Sequence, residues 1–322
     1  MKSSKILATI AIASLFAASS YAADAKEEVI SKYGAITIKK VKNEDDVEKT
    51  VAYIDDESKE TPVITKNIEV DSVYFTRKFK GNTASTLMLP IDLDVAAFWK
   101  LGLNLYESIE VRKDCPDNCG YSIYYQQKNT GVMKANTPYV ALASNDNQQI
   151  AFSMVYTDEE KIVLKKNADE NGNVGENVVS YVKDGIKFSF TGTYKSIEFK
   201  NPTGIYGFAG VEKTDAKIGD FVKVTCKDGK CGSIRPFRAY LKTTLANLNK
   251  SESDEVEMPK SISVYLIDSD KKGTTYIGQM NVQTGEIVKD DNRWFDMKGR
   301  MLDHKPTAKG TYYNNKKKVI IK

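Results

Sequence analysis

The sequence has few of the residues on which most nucleophilic and metal-dependent enzymes rely. It holds a single histidine, His304. A Ser-His or Cys-His nucleophile pair therefore has one imidazole to draw on, and a zinc site built from several histidines of one chain is excluded. No phosphate-binding loop of the form G-x-x-x-x-G-K-[ST] occurs. Gly204, Gly207 and Gly210 lack the spacing of a dinucleotide fingerprint and read instead as a β turn or bulge. Long apolar runs are scarce, which excludes a multi-span helical membrane protein. Charge of one sign is lacking too, with 47 Lys and Arg against 43 Asp and Glu. What is present, 41% hydrophobic residues in a chain of 322, suffices for one or two ordinary globular cores and argues against disorder.

The N-terminus reads as an export signal. Lys2 and Lys5 precede the apolar stretch Ile6–Ala18, and Ser20 and Ala22 are small residues at the positions that signal peptidase reads, so cleavage is expected after Ala22. In a helix that stretch rises about 20 Å, short of the roughly 30 Å of a bilayer core, which disfavours an anchor. From Asn292 to Lys322 nine Lys or Arg stand against Asp296 and Asp303, a net +7; without Lys2 and Lys5 the rest of the chain carries −5. The tail carries no nucleic-acid-binding motif, and in an exported chain it reads as a solvated basic strand region. No nucleic-acid partner and no cofactor are expected.

Four cysteines in an exported chain point to disulfides. In Cys226-Lys227-Asp228-Gly229-Lys230-Cys231 an Asp-Gly hairpin turn sets Lys227 opposite Lys230 and Cys226 opposite Cys231, within bonding reach. Cys115-Pro116-Asp117-Asn118-Cys119 is also a turn sequence, and a local bridge is its simplest pairing. Crossed bridges between the pairs and a four-thiolate zinc site are the alternatives. Three and four residues between cysteines, where ribbon knuckles usually have two, weigh against zinc.

Short runs rich in β-branched and aromatic residues recur between turn clusters, among them Val70–Phe79, Ser122–Gln126, Ile186–Phe190 and Ser261–Ile267. The expected fold is mainly β, an antiparallel β-sandwich-like body followed by a small C-terminal antiparallel β module. Helix is expected only over Asp92–Leu105, broken at Gly102, and over Thr243–Asn249. The polar stretch 249–260 reads as a linker. The expected organisation is thus signal 1–22, body 23–248 with an N-terminal strand region over 23–69, linker 249–260 and C-terminal module 261–322.

Candidate sites are few. Asp169, Asn171, Asn173 and Glu176 gather oxygen ligands in a Gly-rich loop suited to calcium, although Val174 stands where an EF-hand loop has Gly; the alternative is a flexible hairpin tip. Asp92 and Asp94 alternate with apolar residues as paired glycosidase carboxylates would, a pattern that 43 acids also produce by chance. Trp99, Tyr121 and Tyr125 are candidates for an aromatic platform facing sugar rings or a protein partner. Alternation sets Tyr121 and Tyr125 on one strand face and Tyr124 on the other, so core packing competes with that reading.

The ending Arg293-Trp294-Phe295-Asp296-Met297-Lys298-Gly299-Arg300, then Lys309-Gly310-Thr311-Tyr312-Tyr313, then Val319-Ile320-Ile321-Lys322, resembles the C-terminal sorting modules of proteins exported by type IX secretion-like systems. The body, through Val73-Tyr74-Phe75-Thr76-Arg77-Lys78-Phe79, Phe190-Thr191-Gly192-Thr193-Tyr194 and Arg235-Pro236-Phe237-Arg238-Ala239-Tyr240-Leu241, is similar to β-rich domains in secreted and surface proteins of Gram-negative gut and rumen anaerobes. The resemblance implies a sorting module carried by Trp294, Phe295, Asp296, Gly299, Arg300, Gly310, Tyr312 and Lys322, with secretion machinery as its partner. It implies delivery outside the cell or to the outer-membrane surface, the periplasm being the alternative. The expected function is that of a secreted, non-enzymatic structural or binding protein, its partner a polysaccharide or cell-surface component. The alternatives are an accessory carbohydrate-binding protein or a glycoside hydrolase.

Overall fold

A computed structural model describes residues 9–10, 27–42, 47–81, 83–100, 102–113, 120–143, 149–155, 161–212, 218–246, 261–268, 274–281, 287–288, 294–297, 301–302, 306–314 and 317–321. Among them the protein is nearly all β, with a single short helix at Val95–Lys100. The expected signal-cleavage residue Ala22, the pair Cys115 and Cys119, the linker 249–260, His304, and Gly299, Arg300 and Lys322 of the tail lie outside the described residues.

Three sheets form the body. The first is ordered Thr9–Ile10, a two-residue strand from the stretch expected to be removed as a signal, then Gln149–Val155, Ser72–Lys78, Glu48–Asp55, Ile36–Lys42, Glu27–Tyr33. The second is ordered Ile287–Val288, Thr274–Asn281, Ser261–Ile267, Tyr121–Lys128, Leu103–Lys113, Tyr139–Ala143, Ala84–Leu87. The third is ordered Asn177–Lys183, Ile186–Thr193, Arg238–Leu245, Ile205–Phe208, Phe221–Lys223. Pairing in them is antiparallel except between Glu48–Asp55 and Ser72–Lys78, and between Tyr121–Lys128 and Ser261–Ile267.

The second sheet is the middle layer, because buried side chains fill both its faces. Leu103, Leu105, Ala141 and Ala143 share one core cluster with Ile36, Ile54, Val73 and Phe75 of the first sheet. Tyr106, Val140, Tyr121, Ile123 and Tyr125 share another with Ile186, Phe188, Phe190 and Leu241 of the third. A strand buried on both faces loses the apolar-polar alternation of a half-buried one, which is why Tyr139–Ala143 and Ile262–Leu266 read as nearly continuous apolar runs. Where Leu103–Lys113 pairs with Tyr121–Lys128 the register shifts between Tyr124 and Tyr125, leaving Ile109 unpaired. That bulge reverses the facing of the strand, so Tyr106 and Val111, which plain alternation would set on opposite faces, reach the same cluster.

One charged node ties the layers. Asp56, 2% exposed, accepts hydrogen bonds from Arg77 Nε (2.9 Å) and Nη2 (2.7 Å) and from Arg238 Nη2 (2.7 Å). Arg77, on the first sheet, also donates to Thr86 O of the second (2.6 Å) and to Phe237 O just before the third-sheet strand (3.0 Å). Five guanidinium N–H groups in a fixed fork suit one side chain to so many acceptors.

The structure moves the expected domain boundary. Ser261–Ile267, assigned from the sequence to the C-terminal module, lies within the middle sheet, with Ile262, Val264 and Leu266 fully buried. Thr274–Asn281 and Ile287–Val288 extend the same sheet. The polar composition of 249–260 suggested a boundary, yet the strand beyond it returns to the body. A separate antiparallel sheet begins only at Trp294, ordered Met301–Leu302, Trp294–Phe295, Gly310–Asn314, Lys317–Ile321. The helix expectation also contracts: Asp92–Leu105 yields only Val95–Lys100, and Thr243–Leu245 completes a strand instead of starting a helix.

Candidate functional site

The Cys226–Cys231 bridge expected from the turn is present, with Cys226 facing Cys231 and Lys227 facing Lys230. Asp228 and Gly229 supply φ angles of 52° and 74°, the left-handed pair of a two-residue hairpin turn. Bonded to each other, these two sulfurs are not thiolates for a zinc ion or partners for a crossed bridge.

The platform expectation is corrected at two of its three residues. Tyr121 and Tyr125 do share a face, as alternation requires, but that face is core: they are 0% and 1% exposed and lie against Phe188 (5.2 Å between ring centroids) and Phe190 (5.3 Å) of the third sheet. Burial, together with the Asp184 carboxylate, pushes the Tyr121 hydroxyl up to about 12. Trp99 is different. At 67% it is the most exposed large apolar side chain among the described residues, while Val95 and Phe98 of the same helix are buried.

The two candidate carboxylates hold loops. Asp94 Oδ1 accepts the Ala96 N–H at 2.9 Å and caps the helix carrying Trp99. Asp92 Oδ1 accepts the Ala135 N–H at 2.8 Å, and its other oxygen lies 3.8 Å from Lys165 Nζ. Leu93–Asp94 pairs with Val132–Met133, and Val95 N–H donates to Gly131 O, so the helix and the 131–136 loop are fastened together.

That loop leads into a cleft of about 460 Å³, lined by Asn136, Lys166, Asn167, Asp169, Asn173 and Asn177 with Ala168, Val174 and Gly175. Its amides set the wall. Asn136, at φ 58°, donates through Nδ2 to Lys166 O (3.0 Å) and accepts from the Tyr194 hydroxyl (2.7 Å). Asn167 accepts from Ile64 N–H (2.8 Å) and donates to Pro62 O (2.9 Å). Asp169, the first residue of the candidate calcium loop, accepts from Asn171 N–H (2.9 Å), Asn173 N–H (2.8 Å) and Asn173 Nδ2 (2.8 Å). Asn173 thus holds Asp169 below the ordinary aspartate range, so this carboxylate is an ionised acceptor with no proton to deliver near neutral pH. The candidate calcium loop is a hairpin tip capped on Asp169 and closed by the Ala168–Val174 bridge; among the described residues no group of three or more His, Cys, Asp or Glu is placed to hold a metal. Glu176 stands at the cleft's edge, exposed, with its charge felt at Tyr240.

The cleft was not legible in the sequence, because Asn136 and Asn167 come from loops joined only by the folded topology. The Asn-rich stretch 171–177 was the one local signal, and it suggested a metal in place of an amide-lined wall. Of the tail residues, Trp294, Phe295, Asp296, Gly310 and Tyr312 are partly buried in the C-terminal sheet, Tyr312 donating its hydroxyl to Ala308 O at 3.1 Å. Compared with protein-family models, curated proteins and solved structures, the chain matches none.

Proposed function

We propose that this is a secreted, cell-surface-delivered, non-enzymatic structural or binding protein, routed through secretion machinery by its C-terminal sheet. The observation that carries the binding half is the exposed indole of Trp99 on a helix fastened to the wall of an amide-lined cleft. Asn136 and Asn167 are spent on the wall itself, so the amide set toward a ligand is that of Asn177, which can both donate and accept as sugar hydroxyls require, and an indole offers a flat apolar face to a ring. One exposed apolar side chain is ordinary on a protein surface, so the weight of the reading rests on where Trp99 stands, on a helix fastened to the loop that enters the cleft. Accessory carbohydrate binding is therefore the form of this reading that the surface favours. The disulfide hairpin accords with an oxidising destination.

The test is retention of the full-length protein on insoluble polysaccharides. Trp99→Ala and Asn177→Ala are expected to lower retention about tenfold each, as loss of one stacking or hydrogen-bonding contact does, while Tyr313→Ala in the C-terminal sheet leaves it unchanged. Wild-type retention no greater than that of an unrelated protein of similar charge removes the carbohydrate form. Recovery from the periplasm alone removes the surface form.

A further inference from the structure

Sheet edges are templates for strand addition, and natural proteins blunt them with charge, bulges, proline or brevity. The outer strands of this protein mostly follow that rule. Glu27–Tyr33 carries Glu27, Glu28 and Lys32 and a register shift between Val29 and Ser31. Ala84–Leu87, Phe221–Lys223 and Ile287–Val288 have only four, three and two residues. Asn177–Lys183, the outermost described strand of the third sheet on this side, has little of these devices. It spans seven residues, pairs with Ile186–Thr193 without a register shift, and holds one charge, at its last position.

Its two faces differ. Tyr181 turns toward the middle sheet and donates its hydroxyl to Ser108 O at 2.6 Å. Val178, Ser180 and Val182 turn outward, with the valines 44% and 63% exposed. Two β-branched apolar side chains on the open strand of a sheet are what a strand partner would cover.

We propose that this edge pairs with the same edge of a second copy of the chain, antiparallel about a twofold axis at Ser180, joining two five-stranded sheets into one. The occupant is argued from the strand's own symmetry. Centred on Ser180, an antiparallel pair sets Val178 against the partner's Val182 at both ends, Ser180 against the partner's Ser180, and Asn177 against the partner's Lys183. Moving the centre to Val179 sets Val182 against the partner's Glu176, and moving it to Tyr181 sets Val178 against the partner's Asp184. Charges agree with the Ser180 centre as well. Lys183 comes within one residue of the partner's Glu176 at each end, while Asp184 is already engaged by the Tyr121 hydroxyl (3.2 Å) and Lys113 (3.8 Å). A single seven-residue edge is smaller than the roughly 1,200 Å² at which stable interfaces begin, so the pair is transient in dilute solution and favoured where copies are crowded. The strand shares Asn177 with the cleft wall, so the two proposals are told apart by readout: retention on polysaccharide for the cleft, and cross-linking without ligand at Ser180, away from the cleft lining, for the edge.

Ser180→Cys in the full-length protein tests it. Facing residues in an antiparallel ladder lie about 4.5–5.5 Å apart at Cα, within disulfide reach. Under mild oxidation at high protein concentration, Ser180→Cys is expected to form a covalent dimer about tenfold faster than Lys187→Cys, an exposed site on the neighbouring strand. Adding Val182→Lys to Ser180→Cys is expected to bring the rate down to that control with the thermal midpoint unchanged. Equal rates for Ser180→Cys and Lys187→Cys would overturn the proposal, as would cross-linking indifferent to Val182→Lys.

Discussion

Asp56 sits at the centre of a buried ion cluster, and its loss is expected to be costly. Two guanidinium groups, Arg77 at 5% exposure and Arg238 half-buried, converge on a carboxylate that is 2% exposed. Removing one member of a buried ion cluster costs more than the cluster contributes, because the remaining charges stay in low dielectric without a partner. Asp56→Ala is therefore expected to lower unfolding free energy by about 3–5 kcal/mol. Arg77→Met is expected to cost less, since Asp56 keeps Arg238 and a flexible apolar side chain can pack beside Phe75 and Phe79, which lie 5.5 and 5.3 Å from the guanidinium. Urea titrations of both variants check this ordering. A loss for Arg77→Met equal to that for Asp56→Ala would show that the hydrogen bonds to Thr86 O and Phe237 O, and not the ion cluster, carry the energy.

At the scale of elements, Asp71 fastens the parallel pair Glu48–Asp55 and Ser72–Lys78. Its N–H donates to Thr50 O (2.8 Å), its Oδ2 accepts from Thr50 N–H (2.7 Å) and the Thr50 hydroxyl (2.9 Å), and Lys161 reaches its other oxygen. Burial pushes this carboxyl up, but the hydrogen bonds from Lys161 and Thr50 outweigh it and hold Asp71 below the ordinary aspartate range. A group lowered in the folded state stabilises the fold above its unfolded value, and the contribution fades as pH falls through the folded one. Stability is thus expected to decline below about pH 4 with a steepness that Asp71→Asn reduces. Thermal midpoints of both proteins from pH 6 to pH 2.5 check this, and parallel curves would remove Asp71 from the account.

Elements were legible in the sequence wherever one local rule decided them. The Asp228-Gly229 turn fixed its hairpin and disulfide, and strand composition fixed the β class. Position within the stack was not legible. Ser261–Ile267 has the same β-branched composition whether it lies in a small module or at the centre of a sheet, and only pairing with Tyr121–Lys128, distant in sequence, tells them apart. Tyr121 and Tyr125 failed as a platform for the same reason: alternation shows which residues share a face, and not that a third sheet covers it.

The whole molecule is a three-layered body with a basic sheet appended after it, and the position of the true boundary has a direct consequence. A chain ending at Val288 keeps every described strand of the three body sheets; the described strands from Trp294 onward pair in a sheet of their own. Its thermal midpoint is expected within a few degrees of the full chain's, a stability change of about 1 kcal/mol or less. A chain ending at Ala246, close to the boundary that composition alone suggests, loses Ser261–Ile267 and with it the fully buried Ile262, Val264 and Leu266. At about 1.5–3 kcal/mol for each buried aliphatic side chain, that loss approaches the 5–15 kcal/mol that holds an ordinary domain together. It also opens the Tyr121 strand as an apolar edge, a template for aggregation. The shorter chain is expected to be insoluble or unfolded and the longer one cooperative, as circular dichroism and analytical gel filtration would show. A cooperatively folded chain ending at Ala246 would mean that the third sheet and its neighbours need no central strand, and that 261–288 is an addition to the body after all.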